Sequence, residues 1–363
     1  MFEALIVVVL ALGGLAHWWL LRRGGRAQPP LATARRPAAS GRPVPPAAAA
    51  APAATLQGGT APTEDGRLAR HESLPAERRQ ALLEALRQLP RPPRALHQLV
   101  SPEFVARASS AELAELVMAE PVVAARVMAA VNSPLYGLRS AVTSIGQAIT
   151  FLGLNTVRNL CLQHLLREAM PAPDPALRQE FDTLWRSSAI ASELSLAVAK
   201  RLQLPDAAGM STQLVLHFLG RFAAVTLLQA QGDATAPATA LRARALAEQQ
   251  RLGLSAGEIG SLLLQEWGLP AAMEAPTRAI ARIAFAVPPA PPLPQQAARP
   301  ALGALCASLA ERIARRELTA LQDYTPEHDL HEDLQVLRPQ LPPPVLAAVG
   351  AALREPDMAR VLA

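Results

Sequence analysis

Lysine is almost missing from this chain, and aromatic residues and cysteine are scarce. Lys200 is the only lysine, so arginine carries nearly all the positive charge and raises the isoelectric point to about 10.1. Aromatics make up 4% of the 363 residues. A core must therefore be built from Leu, Val, Ile and Ala, which favours helices over a β-sandwich. The two cysteines, Cys161 and Cys306, fall on apolar helical stripes, which argues for buried free thiols and against a disulfide framework. From Gly24 to Arg67 large apolar residues are nearly absent. Such a stretch cannot bury enough surface to offset ordering and reads as a disordered tether, stiffened by proline.

The basic isoelectric point misleads about partners. Residues 1–67 hold seven arginines against Glu3, Glu64 and Asp65, so four of the five net positive charges lie there. The remainder is close to neutral, and no nucleic-acid-binding face is indicated for it. Residues 4–21 contain no Asp, Glu, Lys or Arg. As a helix they would span roughly 27 Å, close to the ~30 Å hydrocarbon core, with Trp18 and Trp19 placed for an interfacial belt. Glu3 precedes the run and arginines follow it, unlike a secretory signal. An uncleaved anchor over 1–23 is expected. Arg22, Arg23 and Arg26 place the N-terminus outside and the main domain in the cytoplasm by the positive-inside rule. A periplasmic domain would need that signal to be wrong.

The stretch from Leu116 to Leu160 is the most informative. Pro121 suits a first helical position, and Val123, Val127 and Ala130 share one helical face. Asn132-Ser133-Pro134 stops that helix, with Asn132 suited to a left-handed end. Ser144 and Gln147 have capping-box spacing. Gly153 is placed as a left-handed cap, and Asn155 to start a third helix over Val157 and Leu160. Glu120-Pro121, Asn132-Ser133, Tyr136-Gly137 and Ala148-Ile149-x-x-Leu152-Gly153 stand in the order of the HDOD domain, the HD-related output domain of bacterial signalling proteins. The chain resembles that family over roughly residues 85–290.

Periodicity predicts further helices near 75–89, 94–100, 111–119, 177–203, 212–230, 238–252, 256–267 and 301–316, with 212–230 too apolar for a surface position. The 177–203 helix should bury Phe181, Leu184, Trp185, Ser188, Ala191 and Leu194. The fold class is all-α: an HD-like multi-helix bundle over 68–286, behind the anchor and the 24–67 linker, with a proline-rich connector and helical extension over 287–363.

The resemblance extends to the HD phosphohydrolase superfamily, whose active members hold a divalent metal on a helix histidine, a His-Asp pair and a later Asp. At the matching positions this chain has Ser187, His217-Phe218 and Ala256, with Ile283-Ala284 and Ser308 at the later ones. Only His217 survives, and a lone imidazole among apolar side chains cannot hold a hard metal. It reads as a core or capping histidine. His328 and His331 lie in an acidic run that reads as a solvated loop or cap. No metal, cofactor or catalytic residue is therefore expected. The anchor, the linker and the resemblance together lead to the expectation of a membrane-tethered, non-catalytic signalling or scaffolding protein that binds a protein partner at the cytoplasmic membrane face. Tyr136 and Arg139, assigned to an exposed turn, are the expected partner contacts. The competing reading is a metal-dependent phosphohydrolase with a relocated site.

Overall fold

The computed structural model describes residues 68–363, apart from 137, 139, 171, 173, 233–239, 288–293, 295–296, 357, 359–360 and 362–363. The expected anchor and linker lie outside the described residues. Those residues contain helices and no strand. The N-terminal part comprises α1 (Ala76–Arg87), α2 (Arg94–Val100), α3 (Pro102–Arg107), α4 (Ser110–Met118), α5 (Pro121–Val131), α6 (Ile145–Leu152) and α7 (Leu154–Ala169). Two long helices follow, α8 (Pro175–Arg201) and α9 (Ala207–Ala230), then α10 (Leu241–Leu252), α11 (Ala256–Glu266) and α12 (Ala271–Arg282). The chain closes with α13 (Arg299–Ala314), α14 (Glu332–Leu337) and α15 (Pro343–Leu353).

The local rules hold where side chains enforce them. α5 begins with Pro121 and buries Val123, Val127 and Val131. Asn132, expected in a left-handed conformation, sits instead at φ −88°, ψ 5°. Its side chain carries the constraint: Nδ2 donates to the Val142 carbonyl at 2.9 Å and Oδ1 accepts from the Val142 N–H at 2.8 Å. Ser144 accepts from the Gln147 N–H at 3.2 Å, but Gln147 Oε1 reaches one residue past the box to accept from the Thr143 N–H at 2.9 Å. Gly153 lies at φ 86°, ψ 150°, a region essentially only glycine enters. It ends α6 and also precedes the first residue of α7, so Asn155 lies inside α7 rather than starting it.

α9 occupies the centre. It is long and apolar enough to cross a membrane, yet 78% of its most apolar window is buried in the protein, as a core helix would be. α8 packs along it and buries Phe181, Leu184, Trp185, Ser188, Ala191 and Leu194, the face its spacing predicts. α9 meets α11 at a glycine contact: a Cβ on Gly220 would fall 2.1 Å from the Ala256 carbonyl oxygen and 3.1 Å from the Gly260 Cα. Backbone atoms cannot yield there, so this crossing fixes where α11 begins. Two polar residues fasten α7 to α9. Buried Arg158 donates to the Ala208 carbonyl at 2.9 Å and to Thr212 Oγ1 at 3.0 Å, while Asn159 donates to Ser211 Oγ at 2.6 Å.

From Arg299 onward the chain is part of the same core. α13 lies along α8 with Leu302, Leu305, Cys306, Leu309 and Ile313 buried. The acidic run is not the solvated loop expected of it. Asp333 is 3% exposed and accepts from Ser308 Oγ at 2.6 Å. The Asp329 carboxylate takes Arg312 at 2.6 Å and the Tyr324 hydroxyl at 2.7 Å. His331 does cap α14, accepting from the Asp333 N–H at 3.3 Å.

Candidate functional site

α9 presents His217 and Arg221 one turn apart, hence on one face. His217 is buried, and its ring meets that of fully buried Phe218 edge-on at 5.7 Å. Burial pushes the His217 imidazole down to about 4; the Glu311 charge opposes this, and Arg244 and Arg221 add to it. The ring is therefore neutral at pH 7, and its Nδ1 has no hydrogen-bond partner among the described residues.

Beside it stand Arg221, Arg244, Glu248 and Glu311, with side chains no more than 8% exposed. Arg221 Nη1 donates to both Glu311 oxygens, at 3.1 and 3.3 Å, and Arg244 Nη1 donates to Glu311 at 2.8 Å. Glu248 lies 3.7 Å from Arg221 and accepts from the Ala256 N–H at 2.7 Å, placing a carboxylate on the N-terminus of α11. Burial would push the Glu311 carboxyl up, but the two guanidiniums outweigh it and hold Glu311 below the usual range. The four formal charges cancel.

The residues that the family resemblance singled out are placed as follows. Ala256 packs on the turn of α9 that follows His217, through the Gly220 contact. Ser187 is buried on α8 with its hydroxyl turned back to the Thr183 carbonyl at 2.8 Å. Ile283 and Ala284 form a 3-10 turn whose Ile283 carbonyl accepts from Gln340 at 3.1 Å. Ser308 is committed to Asp333. The four network residues were missed by sequence reasoning. Arg244 and Glu248 at i and i+4 were a local signal, but nothing local ties Glu311 to a helix 90 residues earlier in the chain.

A second cluster lies where residues 68–74 cross α11 and α12. His71 and Glu258 are 2% and 0% exposed, and Glu258 accepts from the His71 N–H at 3.2 Å with His71 Nδ1 at 3.1 Å. One ligand atom each from His71, Glu72 and Glu258 lies within 4.8 Å of the others. Arg282 binds Glu258 at 2.8 Å and the Leu68 carbonyl at 2.9 Å; Arg278 binds Glu72 at 3.0 Å and also Glu274. Burial would push Glu258 up, but these hydrogen bonds and charges hold it lowered.

Of the expected partner contacts, Arg139 lies outside the described residues. Tyr136 is half-buried, its ring edge-on to Phe151 at 5.9 Å, and it lines a separate cavity with Glu193 and Lys200.

The HDOD domain model matches residues 89–283. No curated protein matches the chain. Among solved structures, an HDOD domain protein of unknown function from Geobacter sulfurreducens is similar at 21% identity, covering 76% of this chain and 98% of that one with a TM-score of 0.50. A candidate phosphohydrolase from Shewanella amazonensis is similar at 22% identity over 75% and 97% of the two chains, with a TM-score of 0.46. The MmoQ response regulator of Methylococcus capsulatus is similar at 21% identity over 76% and 98%, with a TM-score of 0.34. The first supports the fold. With the family model covering more than half its length, the chain belongs to the HDOD domain family.

Proposed function

We propose that this protein is a non-catalytic HDOD signal-transduction module, tethered to the membrane by residues 1–23, that binds a protein partner at the cytoplasmic face. The observation that carries the non-catalytic reading is the donor set around His217. Hydrolysis of a phosphoester needs a metal-activated water and a clamp on the developing charge. Here one neutral imidazole faces two buried guanidiniums, and both nearby carboxylates are already bonded to arginine or to a helix N-terminus. The two positive and two negative charges are spent on each other, so no free carboxylate remains to receive a divalent cation in this water-poor site. This donor set does not suit a metal.

The second reading, a relocated hydrolytic site, has one observation in its favour: the convergence of His71, Glu72 and Glu258. Against it, Arg278 and Arg282 occupy the same carboxylates, and a metal would have to displace both. Metal analysis of the purified full-length chain tests the two. Well below one equivalent of transition metal per chain is expected, with no hydrolysis of phosphodiester or nucleotide substrates. One equivalent of metal with hydrolysis lost in His71→Ala would establish the relocated site. The same result with hydrolysis lost in His217→Ala would restore the ancestral one.

A further inference from the structure

Three arginines gather along one groove of about 490 Å³ that runs beside the first turns of α8 and the end of α13. Arg178 and Arg186 come from α8 and Arg316 from the turn that follows α13, with Gln179 and Thr183 in the same lining. Asp182 is the one carboxylate of that lining among the described residues, and Arg167 holds it at 2.5 Å. The neighbouring carboxylates are engaged elsewhere: Glu180 accepts from Arg315 at 2.6 Å and Asp174 from Gln229 at 2.6 Å. Three positive charges thus face one negative charge, an excess of two. Arg178 and Arg316 are exposed, and among the described residues no carboxylate lies within ion-pairing distance of either.

Folding does not account for Arg316. It ends α13 in a Schellman turn, in which the Glu317 N–H donates to the Arg312 carbonyl at 2.8 Å and the Arg316 N–H to the Ile313 carbonyl at 3.0 Å. That turn requires a left-handed residue, and Arg316 lies at φ 62°. Glycine fills such a position without steric cost, whereas a side chain is strained there. A cation does favour the negative end of a helix, but Arg312 in the last turn and Arg315 at the cap already supply two. Neither backbone geometry nor pairing calls for an arginine at 316, and its guanidinium is left to the groove.

We propose that this groove binds a phosphoryl group, held by Arg178, Arg186 and Arg316. A phosphoryl group brings up to two negative charges and three acceptor oxygens, which match an excess of two charges and three guanidiniums. A carboxylate brings one charge and two oxygens. Arg178 and Arg186 stand eight residues apart, about 12 Å along α8, so their long side chains close on one group from both ends while Arg316 meets it from α13. The groove falls in the range of about 300–1,000 Å³ typical of small-ligand sites. None of its residues is a metal position of the family resemblance, so this site and the non-catalytic reading stand or fall separately.

Calorimetric titration of the full-length chain in phosphatidylcholine nanodiscs with pyrophosphate, and with citrate as a carboxylate of similar charge, tests the assignment. Saturable binding of one pyrophosphate per chain is expected, about tenfold or more tighter than citrate and weaker as salt is raised. Arg178→Gln should weaken it about tenfold, the effect of removing one charged hydrogen-bonding partner. Arg316→Gly should weaken it as much at an unchanged or raised melting temperature, because glycine suits the left-handed position. Replacing part of the phosphatidylcholine by phosphatidic acid identifies the source of the group: a lipid headgroup would compete the pyrophosphate away, and a soluble ligand would leave its binding unchanged. Absence of saturable binding, equal affinity for citrate, or unchanged affinity in either folded variant would overturn the proposal. So would a lowered melting temperature in Arg316→Gly, which would assign that arginine to the helix end.

Discussion

Helix α11 touches two ion networks, and they differ in their access to water. The inner one, Arg221–Glu311–Arg244 with Glu248, meets the helix at the Ala256 N–H and has no side chain more than 8% exposed. The outer one meets it two residues later at Glu258; its core is dry, but Glu72 is 53% and Arg282 26% exposed. An inner charge that loses its partner cannot be rehydrated without separating helices, so that network fixes the packing of α9, α10, α11 and α13. The outer network can open from its wet side. Its opening would release residues 68–74, the point where the chain enters the domain, while the core persists.

The largest effect should come from breaking the inner network. Glu311→Ala leaves Arg221 and Arg244 buried without their shared carboxylate, and a broken buried pair costs about 3–5 kcal/mol. Chemical denaturation should show that loss, and a change under 1 kcal/mol would mean that water already reaches these groups. Glu258→Gln comes next. It keeps the volume but removes charge from the bonds to His71 and Arg282, at about 1.5–3 kcal/mol. The distinguishing readout is hydrogen exchange. Residues 69–74 should lose protection well before α9, and equal protection of the two regions would show that the outer network is as closed as the inner one. Acid should strain both. Glu311 and Glu258 are held below their ordinary values, so their contribution is complete above the unfolded value of about 4.3 and is lost as pH falls through the lower folded value. Melting temperature should therefore drop below about pH 4.

The parts legible in sequence are those in which one residue type answers one local demand. Pro121 at a helix start, Gly153 at a positive φ and the buried stripe of α8 were all readable, because each depends on neighbours within a turn or two. Asn132 was read for the right position and the wrong reason. A left-handed end and a side-chain clasp both favour asparagine, and only the distance to Val142 separates them. The positions Ser187, His217, Phe218 and Ala256 could be named from the family pattern, but the charges now beside His217 could not. Arg221, Glu248 and Glu311 look like ordinary surface residues in one dimension. Their burial is set by the Gly220–Gly260 crossing and by a C-terminal helix whose docking on α8 no local signal announces.

The smallest effect sharpens the same comparison from its exposed limit. Arg167 and Asp182 join α7 to α8 at 2.5 Å, shorter than the 3.1 Å between Arg221 and Glu311. If distance set the strength of a pair, this one would dominate. Both of its side chains are 55% exposed, however, so water and salt screen the attraction and two long side chains must be ordered to make it. Arg167→Ala should shift stability by no more than about 0.5 kcal/mol, and the difference should vanish in molar salt. Side-by-side denaturation of Arg167→Ala, Glu258→Gln and Glu311→Ala orders the three sites by exposure or by distance. A cost at Arg167 equal to that at Glu258 would show that solvent access is not what separates the two networks on α11.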